Sequence, residues 1–333
     1  DWCYRHLGKY DRDLENKSAK GADEELLQSI DSKFLELMSK GFNKDLGIVF
    51  NDSMSKVGEM VIAESSVVRT LTGFPVLNQV MGGGYRNGGL YVWVAPPGVG
   101  KTTILISEAC AALRQGKSVI YYTFEMTEPE IMLRFAANLF NLTEHDMRDE
   151  QKLAISMAEY SRRYSANLSI KHYHEYEANA NVLISNAKQL ELIHEKKIDL
   201  IVVDYADYVA PVKGLKDSMY QDKGNAYKDL KRMAIVLDIP VLSASQTKNE
   251  GFRQDLIGME HLEGSSMKAH IVDGLFTCNL QARDELYDNN LPPRVLIYIA
   301  KLRKRVGYGV DRVMTRFNYA VSNCYEDNDV QEV

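Results

Sequence analysis

Residues 92–103 read VWVAPPGVGKTT. An apolar run ends in a short turn with two glycines, and a lysine and two threonines then open a second apolar run, ILISEACAAL. The turn matches the phosphate-loop pattern G-x-x-x-x-G-K-[ST], with Ala95 in the first glycine position. Each residue type has a physical reason. Gly98 and Gly100 let backbone N–H groups turn inward onto phosphate oxygens. A helix starting near Lys101 adds partial positive charge from its N-terminus. Pro97, Gly98, Val99, Gly100, Lys101, Thr102 and Thr103 are therefore expected to hold a nucleotide, ATP. Lys101 would reach its β- and γ-phosphates, and the Thr102 hydroxyl would face Mg²⁺.

A loop of this kind needs a strand before it and a helix after it, and the rest of the chain continues that alternation. Apolar, β-branched runs recur at 90–95 (LYVWVA), 118–124, 168–174, 199–205, 239–245, 274–280 and 294–300, with helical stretches between most of the earlier ones. Buried strands alternating with helices predict an α/β fold with a mostly parallel twisted sheet flanked by helices. Ahead of it, Leu26, Leu27, Ile30, Phe34, Leu37 and Met38 mark one apolar face of a helix over about 22–40. That helix packs either on its own domain or on a neighbouring subunit. The expected division is an N-terminal segment at 1–66 and an ATPase domain at 67–333.

Three strand ends carry candidate chemistry. The run DLIVVDY delivers Asp204 to the end of its strand, where a carboxylate can complete the shell of a magnesium ion. Asp207 lies past that strand and is a weaker candidate. Glu125 follows the strand after the phosphate-loop helix, a position from which a carboxylate can deprotonate an attacking water. Gln246 ends a later strand and can sense the γ-phosphate through its amide. No base-reading N-K-x-D follows the loop, which argues against a GTPase. His172 and His174 lack a third ligand at useful spacing and read as strand packing.

The order of the phosphate loop at 95–102, FEM with Glu125, VVDY with Asp204, SASQ with Gln246 and IAKLRKR at 299–305 resembles the RecA-like motor domain of DnaB-type hexameric replicative helicases, phage versions in particular. The resemblance covers about residues 68–320 and implies a RecA-like P-loop NTPase core preceded by a linker helix. It also implies that Lys301 and Arg303 act on the nucleotide of the adjacent subunit, with Arg305 able to assist, although the family's usual Asn-Gly after the arginine is absent. It implies a homo-hexamer that moves 5′ to 3′ on single-stranded DNA, with a primase and a helicase loader as partners. Two segments match the family's central-channel loops, and their cations are the DNA-binding candidates: Lys213, Lys216 and Lys223 after Asp204, and Lys248 and Arg253 after Gln246. Residues 1–66 leave no room for the large N-terminal collar of bacterial members.

Composition limits how DNA could be held. The net charge is −6, from 40 basic and 46 acidic residues, so binding must come from local basic loops repeated around a ring. The four cysteines form no CxxC pair, which argues against zinc and disulfides and for a reducing, cytoplasmic setting. No run approaches the roughly 18 apolar residues of a membrane helix. The chain starts at Asp1, and we expect it to begin inside a longer protein. The rival readings are a strand-exchange recombinase, a KaiC-like ATPase, and an assembly factor that binds ATP but hydrolyses little.

Overall fold

The structure is a computed structural model, and it describes residues 56–65, 69–214, 219–247, 256–258, 265–281, 291–306 and 309–327. The expected helix at 22–40 lies outside them, as do Lys216, Lys248, Arg253 and the side chain of Lys223. The chain divides into two compact units, Asp1–Val67 and Val68–Val333. Of the first unit, the described part is helix α1 (Val57–Ser65) with the residue before it.

The second unit is built on one nine-stranded sheet. In chain order its elements are α2 (Pro75–Val80), β1 (Leu90–Ala95), α3 (Lys101–Arg114), β2 (Val119–Thr123), α4 (Glu128–Phe140), α5 (Glu150–Arg163), β3 (Leu168–His172), α6 (Ala180–His194), β4 (Leu200–Asp204), α7 (Met219–Leu237), β5 (Val241–Gln246), α8 (Ser265–Ile271), β6 (Gly274–Leu280), β7 (Arg294–Leu302), β8 (Arg312–Asn318) and β9 (Asn323–Glu326). The strand order is β3-β2-β4-β5-β1-β6-β7-β8-β9. The first six in this order are parallel, and β7, β8 and β9 extend the sheet antiparallel.

Every residue of β1 is buried because helices cover both faces of the sheet. Tyr91, Trp93 and Ala95 point into the cluster that holds Ile104 and Leu105 of α3 and Phe135 of α4. Leu90, Val92 and Val94 point the other way, to Leu183 of α6 and Leu230 and Met233 of α7. Trp93 stacks on Phe276 of β6 at 4.7 Å between ring centres. Local sequence also fixes where helices begin. Thr127 and Glu130 form a capping box at the start of α4, with Pro129 in its first turn. Asp149 caps α5 through the N–H groups of Gln151 and Lys152.

One feature of this topology positions the site. From β1 the chain crosses through α3 to β2, and the two places between them are filled later by β5 and β4. The carboxyl ends of β1, β5, β4 and β2 therefore stand in a row. Register pairs Ala95 with Gln246 and Thr123 with Asp204.

Candidate functional site

The phosphate loop leaves β1 at Ala95 and enters α3 at Lys101. Gly98 and Gly100 have φ of +79° and +106°, a region that residues with a Cβ rarely adopt. At Gly100 space is limiting too: a Cβ would lie 2.9 Å from Tyr319 Cε1 and 3.3 Å from Phe317. The Tyr319 hydroxyl donates to the Val99 carbonyl at 3.0 Å. A tyrosine from the turn after β8 thus braces the loop, a contact between residues 220 positions apart that no local pattern announces.

Asp204 sits at the end of β4 and is 1 % exposed. Tyr121 of β2 donates its hydroxyl to Asp204 Oδ2 at 2.8 Å, and Oδ1 makes no hydrogen bond. Burial raises the Asp204 pKa; the Tyr121 and Thr102 hydroxyls and the Lys101 ammonium act against that rise. A buried carboxylate with one fixed and one open oxygen, facing a threonine hydroxyl, is a donor set suited to Mg²⁺, an oxygen-seeking cation. The peptide bond after Asp204 is cis. The following turn is held by the Ala206 N–H, which donates to Ser243 Oγ at 2.9 Å.

Glu125 is exposed and belongs to the same cluster. Thr123 fixes the turn that carries it: its hydroxyl donates to the Met126 carbonyl at 2.9 Å and accepts from the Met126 N–H at 3.1 Å. The Glu125 pKa is raised by partial burial and by the charge of Asp204, while Lys101 and a hydrogen bond with Tyr205 lower it. Tyr205 is also a hub. Its ring lies 5.7 Å from Lys101 Nζ, and its hydroxyl accepts from Gln246 Nε2 at 3.3 Å. Lys101, Thr102, Glu125, Asp204 and Gln246 therefore converge on one end of the sheet. Asp207 does not join them, since it is bound to Lys268.

Residues 70–256, more than half of the chain, match the model of the DnaB-like helicase C terminal domain. The chain belongs to the DnaB-like helicases. It is 26% identical over 236 residues to the replicative DNA helicase DnaB of Buchnera aphidicola (Schizaphis graminum strain), covering 67% of this chain and 50% of that protein. Against the replicative DNA helicase DnaC of Bacillus subtilis the identity is 27% over 249 residues, with 71% and 52% covered. Against the DnaB-like replicative helicase of Enterobacteria phage T4 it is 25% over 201 residues, with 57% and 42% covered. The chain spans about half the length of these curated relatives. Among solved structures, an ATPase domain solved on its own superposes with a TM-score of 0.70 at 21% identity, covering 85% of this chain and 100% of that one. A DnaB-like replicative helicase whose structure describes its interactions with primase gives 0.68 at 20% identity, covering 97% and 76%. These likenesses establish the RecA-like fold.

In this DnaB-like domain Lys301 and Arg303 lie at the other end of the strands. Lys301 pairs with Leu275, which is level with Val92 of β1, and the Arg303 N–H donates to the Asp273 carbonyl at 2.7 Å. Counting five residues from Arg303's level at Leu90 to Ala95 puts roughly 15 Å of strand between it and its own phosphate loop. Lys301 Nζ donates to the carbonyls of Ala269 and Val272, the latter at 2.9 Å. Burial and the charge of Arg303 lower its pKa. Arg303 Nη2 donates to the His270 carbonyl at 2.8 Å, and Nη1 approaches Asp273 at 3.4 Å. Arg305 donates to the Val310 carbonyl. A cavity of about 320 Å³ opens at this end, with Arg86, Lys231, Arg303 and Lys304 in its wall. The described DNA candidate Lys213 is exposed and follows the carboxyl end of β4, on the side of the phosphate loop.

His172 and His174 stack edge to face at 5.0 Å, and the described residues contain no cluster of three metal-ligating side chains. Cys110, Cys278 and Cys324 are buried free thiols. No helix among the described residues is long and apolar enough to cross a membrane.

Proposed function

We propose that this protein is an ATP-driven, ring-forming replicative DNA helicase that moves along single-stranded DNA, 5′ to 3′, and unwinds duplex. The observation that carries the proposal is the separation of two half-sites. Lys101, Thr102, Glu125, Asp204 and Gln246 meet at one end of the sheet, and Lys301 and Arg303 stand at the other. A complete site then needs two copies, as a closed ring provides.

In the proposed mechanism the N–H groups of 97–103 cradle the ATP phosphates and Lys101 meets the β- and γ-phosphates. Thr102 and Asp204 hold Mg²⁺, which when bound neutralises charge on the β- and γ-oxygens. Glu125 takes a proton from the attacking water, whose oxygen bonds to the γ-phosphorus as the bond to the ADP oxygen breaks. Its raised pKa makes it a stronger proton acceptor than an ordinary surface carboxylate. Gln246 follows the γ-phosphate and, through the loop beyond it, the DNA. Lys301 and Arg303 of the adjoining copy stabilise the charge that grows during transfer, an effect of about 10³–10⁵ for a trans arginine. Lys213, Lys216, Lys223, Lys248 and Arg253 contact the DNA backbone in the channel. A primase and a loader are the partners that fit a replicative role.

Mixing tests the shared site. Copies with Arg303→Ala and copies with Glu125→Ala are each inactive, and a mixture regains ATP turnover because some seams contain an intact Glu125 facing an intact Arg303. No recovery at any ratio, with rings intact, refutes the trans assignment. Turnover that single-stranded DNA fails to stimulate refutes the motor.

A further inference from the structure

Asp207, Ser245 and Lys268 form a buried polar cluster that the hydrolysis chemistry above leaves unused. Lys268 Nζ donates to Asp207 Oδ1 at 2.5 Å and to Ser245 Oγ at 3.0 Å. Ser245 Oγ donates in turn to Asp207 Oδ2 at 3.2 Å. The ammonium also lies 4.8 Å from the centre of the Tyr227 ring. Asp207 and Lys268 are 3 % and 2 % exposed, and Ser245 is fully buried. Taking two charges out of water is costly, and apolar side chains of the same size often serve stability as well. The cluster is better accounted for by what it fixes.

It joins three segments. Asp207 belongs to the turn directly after Asp204, Ser245 precedes Gln246 on β5, and Lys268 stands in the middle of α8. The far end of α8 holds the two cations offered outward. Its last carbonyls, with that of Val272, receive Lys301 and Arg303, and Asp273 just beyond receives Arg303 again. Asp273 is itself fixed by Lys231 at 2.6 Å and by the Leu90 N–H at 2.9 Å. One seven-residue helix, about 10 Å long, thus has the γ-phosphate side of the sheet pinned to its middle and Lys301 and Arg303 pinned to its end.

We propose that Lys268 is a positioning residue that links a copy's own nucleotide site to the cations that copy gives its neighbour. Through Asp207 and Ser245 it binds α8 to the strand ends carrying Asp204 and Gln246. A displacement of those ends on loss of the γ-phosphate is carried by α8 to Lys301 and Arg303. The inference rests on the trans reading of those two residues.

The test uses the double variant Asp207→Asn/Lys268→Met, which leaves no unpaired buried charge. Its KM for ATP stays within about twofold of the parent while kcat falls about tenfold or more, because binding uses the local site and turnover uses the neighbour's cations. Mixed with Glu125→Ala copies, it regains activity, since its own sites are intact and receive good cations. Mixed with Arg303→Ala copies, it regains none. Ser245→Ala, which removes one acceptor and no charge, gives the same pattern with a kcat loss of about 2- to 30-fold, and keeps the test open if the double variant folds poorly. Parental kcat in both variants overturns the proposal, as does failure to recover with Glu125→Ala under conditions where Arg303→Ala recovers. If Arg303→Ala and Glu125→Ala also fail to complement each other, the trans reading falls, and this inference falls with it.

Discussion

Glu108 shows how one side chain can set the pH range of the fold. It lies on α3, seven residues after Lys101, and is 1 % exposed. Its carboxyl accepts from the Tyr85 hydroxyl at 2.6 Å and from the Gly73 N–H at 2.9 Å. These bonds favour the ionised form, but burial dominates and raises its pKa from 4.5 to about 7. A carboxyl with a higher pKa in the folded state than in the unfolded one binds its proton better when folded. Its contribution is complete below about pH 4.5 and declines as pH rises through about 7, for a total of about 3 kcal/mol. We expect the unfolding midpoint to fall between about pH 5.5 and 8, and Glu108→Gln to flatten that slope. Denaturant unfolding at several pH values reads both slopes, and an unchanged slope in the variant assigns the effect elsewhere. Tyr121 acts on the site itself. Tyr121→Phe deletes the hydroxyl that fixes Asp204 Oδ2, and a partner of a metal-binding carboxylate is commonly worth about tenfold or more in metal affinity. The expected outcome is a matching rise in the Mg²⁺ concentration for half-maximal turnover, with metal-free ATP binding unchanged.

At the scale of elements, the loop–helix junction is where local and distant constraints meet. Gly100→Ala would place a methyl at φ +106° against the Tyr319 ring, whereas Gly116, at φ +79°, has nothing within 4 Å of its would-be Cβ. Both changes carry the backbone strain of about 1–3 kcal/mol. Only Gly100→Ala is expected to abolish nucleotide binding, as read by titration with a fluorescent ATP analogue; equal losses in the two variants would reduce the effect to strain. The same contrast governs what was legible in the sequence. LYVWVA and LIVVD read as strands because helices cover both their faces, so no polar residue interrupts them. The antiparallel extension escaped. β8 reads RVMTRFN, and its Arg316 is buried only because Asp327 meets it at 3.1 Å. β9 is four residues long, NCYE, with no apolar run to mark it. The phosphate loop and the strand-end residues Asp204 and Gln246 were legible from spacing. The bonds Tyr121–Asp204, Tyr319–Val99 and Lys268–Asp207 were not, because they join residues 83, 220 and 61 positions apart.

For the whole molecule, the decisive quantity is the distance between the two ends of the sheet. Roughly 15 Å of strand separates Arg303 from its own phosphate loop, and its guanidinium is already held by His270 and Asp273. No side-chain rotation bridges that gap, so a copy alone holds one complete half-site and the complement of another. Bulk charge does not supply the missing association with DNA either, because the chain carries a net −6. Assembly should therefore control activity directly. Below the concentration at which rings form, ATP turnover per copy is expected to fall steeply on dilution, by up to the roughly 10³–10⁵ that a trans arginine contributes. Arg303→Ala should show the low rate at every concentration, since its seams lack the cation whether or not they form. Turnover measured across a dilution series, with light scattering on the same samples, separates the cases. A rate per copy that stays constant through dissociation would mean that one copy completes its own site, and the two-ended arrangement would then have no part in hydrolysis.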